Sequence, residues 1–197
     1  MKKFLLILIA GIVLLGFVVP QIFLDKAYAM DRSATIAARP ADIARVITDL
    51  NTWESWTVWN SDEDPTLERE FEGAPGQPGH GMSWTAKKLG NGSLTISTIE
   101  PLRIGYTMQM EGWDPSEGAF VMTANADGTT DVRWEMSGEI TGFPAKRYFG
   151  LMMDGMVGPA FEDGLQSLKR KVEGPERPAG DIVPDAANDA AGSGGQD

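Results

Sequence analysis

Residues Pro144 to Val172, PAKRYFGLMMDGMVGPAFEDGLQSLKRKV, follow a long run of strand-like sequence and read as helix. Tyr148, Leu151, Met152, Gly155 and Met156 fall on one helical face. Phe161, Leu165, Leu168 and Val172 form a second stripe, roughly opposite the first at about 100° per residue. The phase changes at Gly158-Pro159, where proline removes a backbone donor and crowds the preceding turn. The spacing therefore predicts two helices or one kinked helix. The second part carries its own boundary signals. Pro159 suits a first helical position, Glu162 and Asp163 sit near the positive end of the dipole, Lys169, Arg170 and Lys171 near the negative end, and Gly174 is the stop. Such an apolar helix must be covered, and the middle of the chain supplies a sheet.

From Thr66 to Glu139 the apolar period is two. Met82, Trp84 and Ala86 alternate with polar residues. Leu94 and Ile96 follow the turn Gly90-Asn91-Gly92, and Ile104, Tyr106, Met108 and Met110 follow Glu100-Pro101. Ala119–Ala124 comes next, and then, after the hairpin signal Asp127-Gly128, Val132, Trp134 and Met136. Ahead of these, Ala27 to Ala37 reads as a strand. Ala41 to Leu50 reads as a short amphipathic helix with Ile43, Val46, Ile47 and Leu50 on one side. The order is strand, helix, six strands and a C-terminal helix. Short turns imply antiparallel neighbours, and alternation implies one buried face. This is an α+β fold in which a curved antiparallel sheet grips the long C-terminal helix.

Trp53, Trp56 and Trp59 recur every third residue, which suits either an aromatic rim around a ligand opening or a loop pinned to the core; core burial is the simpler account. Asp62-Glu63-Asp64 reads as a solvated acidic loop without calcium-motif spacing. His80, between glycines, reads as an exposed loop residue.

The N-terminal stretch Phe4 to Leu24 carries no charge and is long enough, as a helix, to cross a bilayer core of about 30 Å. Lys2 and Lys3 precede it, so the positive-inside rule predicts a single-pass membrane protein with its globular part on the extracytoplasmic, periplasmic side. Ala27-Tyr28-Ala29 also fits a cleaved signal peptide, but the apolar run is longer than a signal core, and a retained anchor is the reading favoured here. The divisions expected are 1–26 as anchor or signal peptide, 27–173 as the folded domain and 174–197 as a disordered acidic tail rich in Gly, Pro, Ala and Asp. A net charge of −11 over 197 residues argues against nucleic acid as a partner. No cysteine and one histidine leave no thiol chemistry and make a zinc site or histidine relay unsupported, so neither a metal nor a cofactor is expected.

Ile47-Thr48-Asp49-Leu50 leading into Trp53-Glu54-Ser55-Trp56, the run Glu111-Gly112-Trp113-Asp114-Pro115, and Arg147-Tyr148-Phe149-Gly150-Leu151 through Gly158-Pro159 and Phe161-Glu162 together carry a family resemblance. With the element order, they make the chain resemble the START-like, helix-grip superfamily, also called SRPBCC. In particular it resembles the membrane-anchored, bacterial polyketide cyclase/dehydrase-like members. The resemblance spans about Tyr28 to Val172 and implies an elongated apolar cavity between the sheet and the C-terminal helix. It fixes no function, since that superfamily includes lipid carriers, hormone binders and cyclases.

Alternation independently points Met82, Trp84, Tyr106, Met108, Met110, Trp134 and Met136 inward, and Met152 and Met156 are the helix's expected additions. Such a space suits a hydrophobic small molecule or lipid; side chains could equally fill it. Glu111 and Glu135 fall on the polar side of their strands. Tyr106 is the inward titratable group of the strands, and Asp114 stands in a turn from which it could reach the cavity. Catalytic residues are not assigned. The main expectation is a membrane-tethered binding module; an enzyme acting on an apolar substrate and a protein-interaction domain with a filled core are the alternatives.

Overall fold

The computed structural model describes residues 2–23, 25–141 and 147–174. Helix α1 covers Lys2–Phe23 and strand β1 covers Ala27–Ile36. Helix α2, Pro40–Ile47, and a short 3-10 turn, Leu50–Ser55, carry the chain to the far edge of the sheet. Six strands then run back: β2 (Glu68–Glu72), β3 (Gly81–Thr85), β4 (Gly92–Glu100), β5 (Arg103–Met110), β6 (Ser116–Ala124) and β7 (Thr130–Glu139). Helix α3, Arg147–Glu173, closes the fold. The order across the sheet is β1-β7-β6-β5-β4-β3-β2, every pair antiparallel, so the first strand lies beside the last.

The register gathers one apolar face. Met30 pairs with Met136, Phe120 with Trp134 and Leu94 with Met108. Against that face pack Ile43 and Ile47 of α2, Leu50 and Trp53 of the turn, and Phe161, Leu165 and Leu168 of α3, all buried. Trp53 is the hub of the closed half of the core. Its indole N–H donates to the Ile47 carbonyl at 2.8 Å, and its ring lies 6.1 Å from both Tyr106 and Phe120. Trp56 and Trp59 are buried beside it, so this tryptophan series pins the crossover to the core.

Helix α3 is one helix with Pro159 inside it, so of the two expected forms the chain takes the single helix and not the divided pair. The helix lies along β1 and in the same direction. Arg32 of β1 binds Asp154 at 2.8 Å and Glu162 at 2.6 Å, Lys169 donates to the Thr35 carbonyl at 2.9 Å, and the Ala37 amide donates to Glu173 at 2.6 Å. Its phase is that of the second stripe, continued backwards through Val157, Met153 and Gly150. The first stripe therefore faces outward: Tyr148, Leu151, Met152 and Met156 are exposed.

Three expectations from sequence are corrected here. Among the described residues no helix is long and apolar enough to cross a membrane, which overturns the single-pass, extracytoplasmic placement. His80 is 1% exposed rather than a surface residue; its Nδ1 lies 2.9 Å from the Glu72 carbonyl and its ring stacks on Phe71. Asp64 is 3% exposed and holds its loop together by accepting from the amides of Thr66, Lys88 and Leu89 and from the Thr66 hydroxyl. Those donors hold its carboxyl well below the usual carboxylate range. The expected acidic tail from Pro175 onward, and the helix start expected at Pro144, lie outside the described residues.

Candidate functional site

The inner face of the sheet is not filled along its whole length. Between β5–β7, the start of β1 and the first half of α3 lies a cavity of about 690 Å³. Alternation brings Met108 and Met110 of β5 and Trp134 and Met136 of β7 to its floor. Met153, Met156, Val157, Ala160 and Phe161 of α3 form its roof. Val58, Trp59, Leu89, Trp113 and Ile140 close its sides from the loops. The roof rests on the floor at one point, where Phe161 stacks on Trp134 with ring centres 4.0 Å apart.

Of the residues expected at the site, Met108, Met110, Trp134 and Met136 line this cavity, and Met156, 58% exposed on the outward stripe, borders its mouth. Met82, Trp84 and Tyr106 do not; they are buried in the closed half of the core, where Trp84 meets Trp59 at 5.6 Å and Tyr106 meets Trp53. Met152 does not either. It is 56% exposed, because the helix takes its phase from the second stripe. Residues that sequence reasoning passed over include Tyr28, Ser116, Met153, Val157 and Phe161. Tyr28 has the same strand parity as Met30, and Phe161, Val157 and Met153 lie on one continuous helical stripe; both signals are present in the sequence.

The polar groups have defined tasks. The Tyr106 hydroxyl accepts from the Trp134 indole N–H at 2.9 Å, and burial pushes its ionisation upward despite that donor. Tyr106 thus satisfies the core rather than presenting a handle. Asp114 sits at the cavity wall and accepts from the Thr141 amide at 2.6 Å and the Thr141 hydroxyl at 2.8 Å, tying the loop after β7 to the turn before β6. Tyr28 is half-buried, and its hydroxyl is pushed toward the neutral form by burial first and by the Asp114 charge, against the Ser116 hydroxyl beside it. Glu111 accepts from Asn91 at 2.7 Å, and Glu135 pairs with Arg103 at 2.7 Å and Arg133 at 3.3 Å on the outer face of the sheet. Among the described residues no group of three His, Cys, Asp or Glu is placed to hold a metal ion.

A space of this size, with a thioether and aromatic lining, can enclose an apolar molecule of drug or short-lipid dimensions. No curated protein matches the sequence. Solved structures similar to it show the fold. SA2116 of Staphylococcus aureus, of unknown function, has a TM-score of 0.58 at 9% identity, covering 76% of this chain and 98% of that one. Norcoclaurine synthase of Thalictrum flavum has 0.53 at 10%, covering 74% and 86%. CalU16 of Micromonospora echinospora has 0.51 at 20%, covering 76% and 77%. The sequence profile of one family, described as polyketide cyclase / dehydrase and lipid transport, matches residues 28–173, from the start of β1 to the end of α3. With that match over most of its length and the helix-grip arrangement of sheet and helix, the chain belongs to the polyketide cyclase / dehydrase and lipid transport family.

Proposed function

We propose that residues 27–173 form a non-catalytic module that binds a hydrophobic small molecule or lipid between the sheet and α3. The observation that carries this reading is the cavity of about 690 Å³ with its Met, Trp and Phe lining. Ligand sites typically occupy about 300–1,000 Å³ and take their affinity from buried apolar area. Met108, Met110, Trp134, Met136 and Met156 are the proposed ligand contacts, joined by Met153, Val157 and Phe161. The family description includes lipid transport, which fits such a module. The polar groups nearest the cavity already serve packing and loop closure, which favours binding over turnover.

The test is native purification of the full chain followed by mass spectrometry of whatever apolar molecules accompany it. A stoichiometric ligand that Met136→Trp or Met108→Trp removes, with the thermal melt still cooperative, is the expected result. A chain that carries nothing and takes up no neutral hydrophobic dye would overturn the reading. Conversion of the bound molecule during incubation would make the protein an enzyme.

A further inference from the structure

Two tyrosines of the sheet lie over glycines of the neighbouring strand, and their hydroxyls have different surroundings. Tyr106 lies over Gly118 in the closed half of the core, and its oxygen accepts from the Trp134 indole N–H at 2.9 Å. Tyr28 lies over Gly138 at the cavity wall, where a Cβ would stand 2.7 Å from its hydroxyl oxygen. Register explains the reach. Tyr28 of β1 and Ser116 of β6 both pair with Gly138 of β7, so the bare glycine lets the phenol cross one strand toward the serine on the next. The other ionisable side chains bordering the cavity are committed or exposed: Lys88 pairs with Glu63 at 3.0 Å, Asp114 holds Thr141, and Glu139 is exposed.

The hydrogen-bonding capacity of that wall has a direction. The Ser116 hydroxyl donates to the Met108 carbonyl at 3.3 Å, and it also stands beside the Tyr28 oxygen, where it favours the ionised phenol. Burial outweighs that effect, so Tyr28 keeps its proton. A phenol approached on its oxygen still has its O–H to give, and the Tyr28 O–H donates to none of the described residues. The unused capacity of this wall is therefore one donor, and the group that meets it must accept. A carbonyl accepts without bringing a donor of its own, whereas an alcohol brings an O–H that Met and Trp side chains receive poorly. Resting on the binding reading above, we propose that Tyr28 is the polar handle of the cavity: its O–H donates to the carbonyl oxygen of the ligand, and the module takes ketones or esters with an otherwise apolar body.

The experiment uses the full chain, freed of co-purifying molecules and loaded with diphenylhexatriene, a dye with no hydrogen-bonding group. 2-Undecanone and 1-undecene, equal in length and different in the carbonyl, are compared as displacers. Tyr28→Phe keeps the ring and removes the hydroxyl. It is expected to weaken the ketone about fivefold to tenfold, the worth of one neutral hydrogen bond, and to leave the alkene unchanged. Gly138→Ala keeps the hydroxyl and pushes it from its place, and should also weaken the ketone more than the alkene. Infrared spectra of the bound ketone need no variant: its carbonyl stretch is expected below its frequency in hexane, and back near that frequency in Tyr28→Phe. A carbonyl unshifted from hexane in the native chain, an unchanged ketone affinity in Tyr28→Phe, or equal losses for ketone and alkene would overturn the handle alone. Failure of both displacers together with failure of dye uptake would overturn the binding reading beneath it as well.

Discussion

Tyr106 lies flat on β6 because the residue opposite it, Gly118, has no side chain; a Cβ there would run into the ring and hydroxyl of Tyr106. Its hydroxyl in turn accepts from the Trp134 indole N–H and its ring stands edge-on to Trp53, so one added methyl disturbs a buried hydrogen bond and a packed aromatic group together. Gly118→Ala is expected to destabilise the fold by about 1–3 kcal/mol, the usual cost of overpacking a core. Urea denaturation followed by tryptophan fluorescence measures it, and an unchanged midpoint would contradict the packing described. The inward direction of Tyr106 is legible in the alternation of β5, but its partner is not, since Gly118 carries no apolar signal. Asp64 and His80 make the same point from the polar side. Each reads as a surface residue in its own loop, and each is buried by groups distant in sequence: the amides of Lys88 and Leu89 for Asp64, and the Glu72 carbonyl and Phe71 ring for His80.

The seat of α3 on β1 depends on Gly158. Arg32 reaches up between Asp154 and Glu162, one helical turn to either side of that glycine, and a Cβ at 158 would collide with the guanidinium. Two effects compete when the Cβ is added. Alanine is the better helix former by about 1 kcal/mol, whereas the guanidinium of Arg32 has to move and its ion pairs with the exposed Asp154 and Glu162, individually weak, are disturbed. Gly158→Ala should therefore change stability little in the native chain and raise it in an Arg32→Ala background. A double-mutant cycle by thermal or urea denaturation measures that coupling, and equal effects in the two backgrounds would show that Arg32 and position 158 are independent. The existence of α3 and its C-terminal boundary are readable from spacing and capping. Its phase in the first half is not, because two apolar stripes compete there and only contact with the sheet selects between them. The stripe through Met153 and Val157 wins because it continues the one anchored by Phe161, Leu165 and Leu168.

The chain combines a solid half, where the tryptophan crossover packs under β3–β5, with an open half beneath the start of α3. The open half forgoes packing contacts that a bound apolar molecule would restore. Ligand present at about 100 times its dissociation constant should add about 2.7 kcal/mol of stability by mass action. Thermal melts at rising ligand concentration should therefore shift upward, and Met136→Trp, which occupies the space from within, should melt at a temperature independent of ligand. A shift that survives in Met136→Trp would place the ligand elsewhere.

Strand parity is a local property, fixed by the pleat, and so the sequence already points Met108, Met110, Trp134 and Met136 to one face of the sheet before any packing is known. The same holds for the strand order implied by short turns, and for the need of an apolar helix as cover. Whether that face is filled depends on something no local pattern encodes: the distance at which the cover is held. Phe161 on Trp134 and Arg32 between Asp154 and Glu162 set that distance. What they leave open lies under the first half of α3, while Met82, Trp84 and Tyr106, equally apolar and equally inward, end up in solid packing. A side chain's direction is written in its neighbours along the chain; the volume around it is the remainder after all the other side chains have been placed.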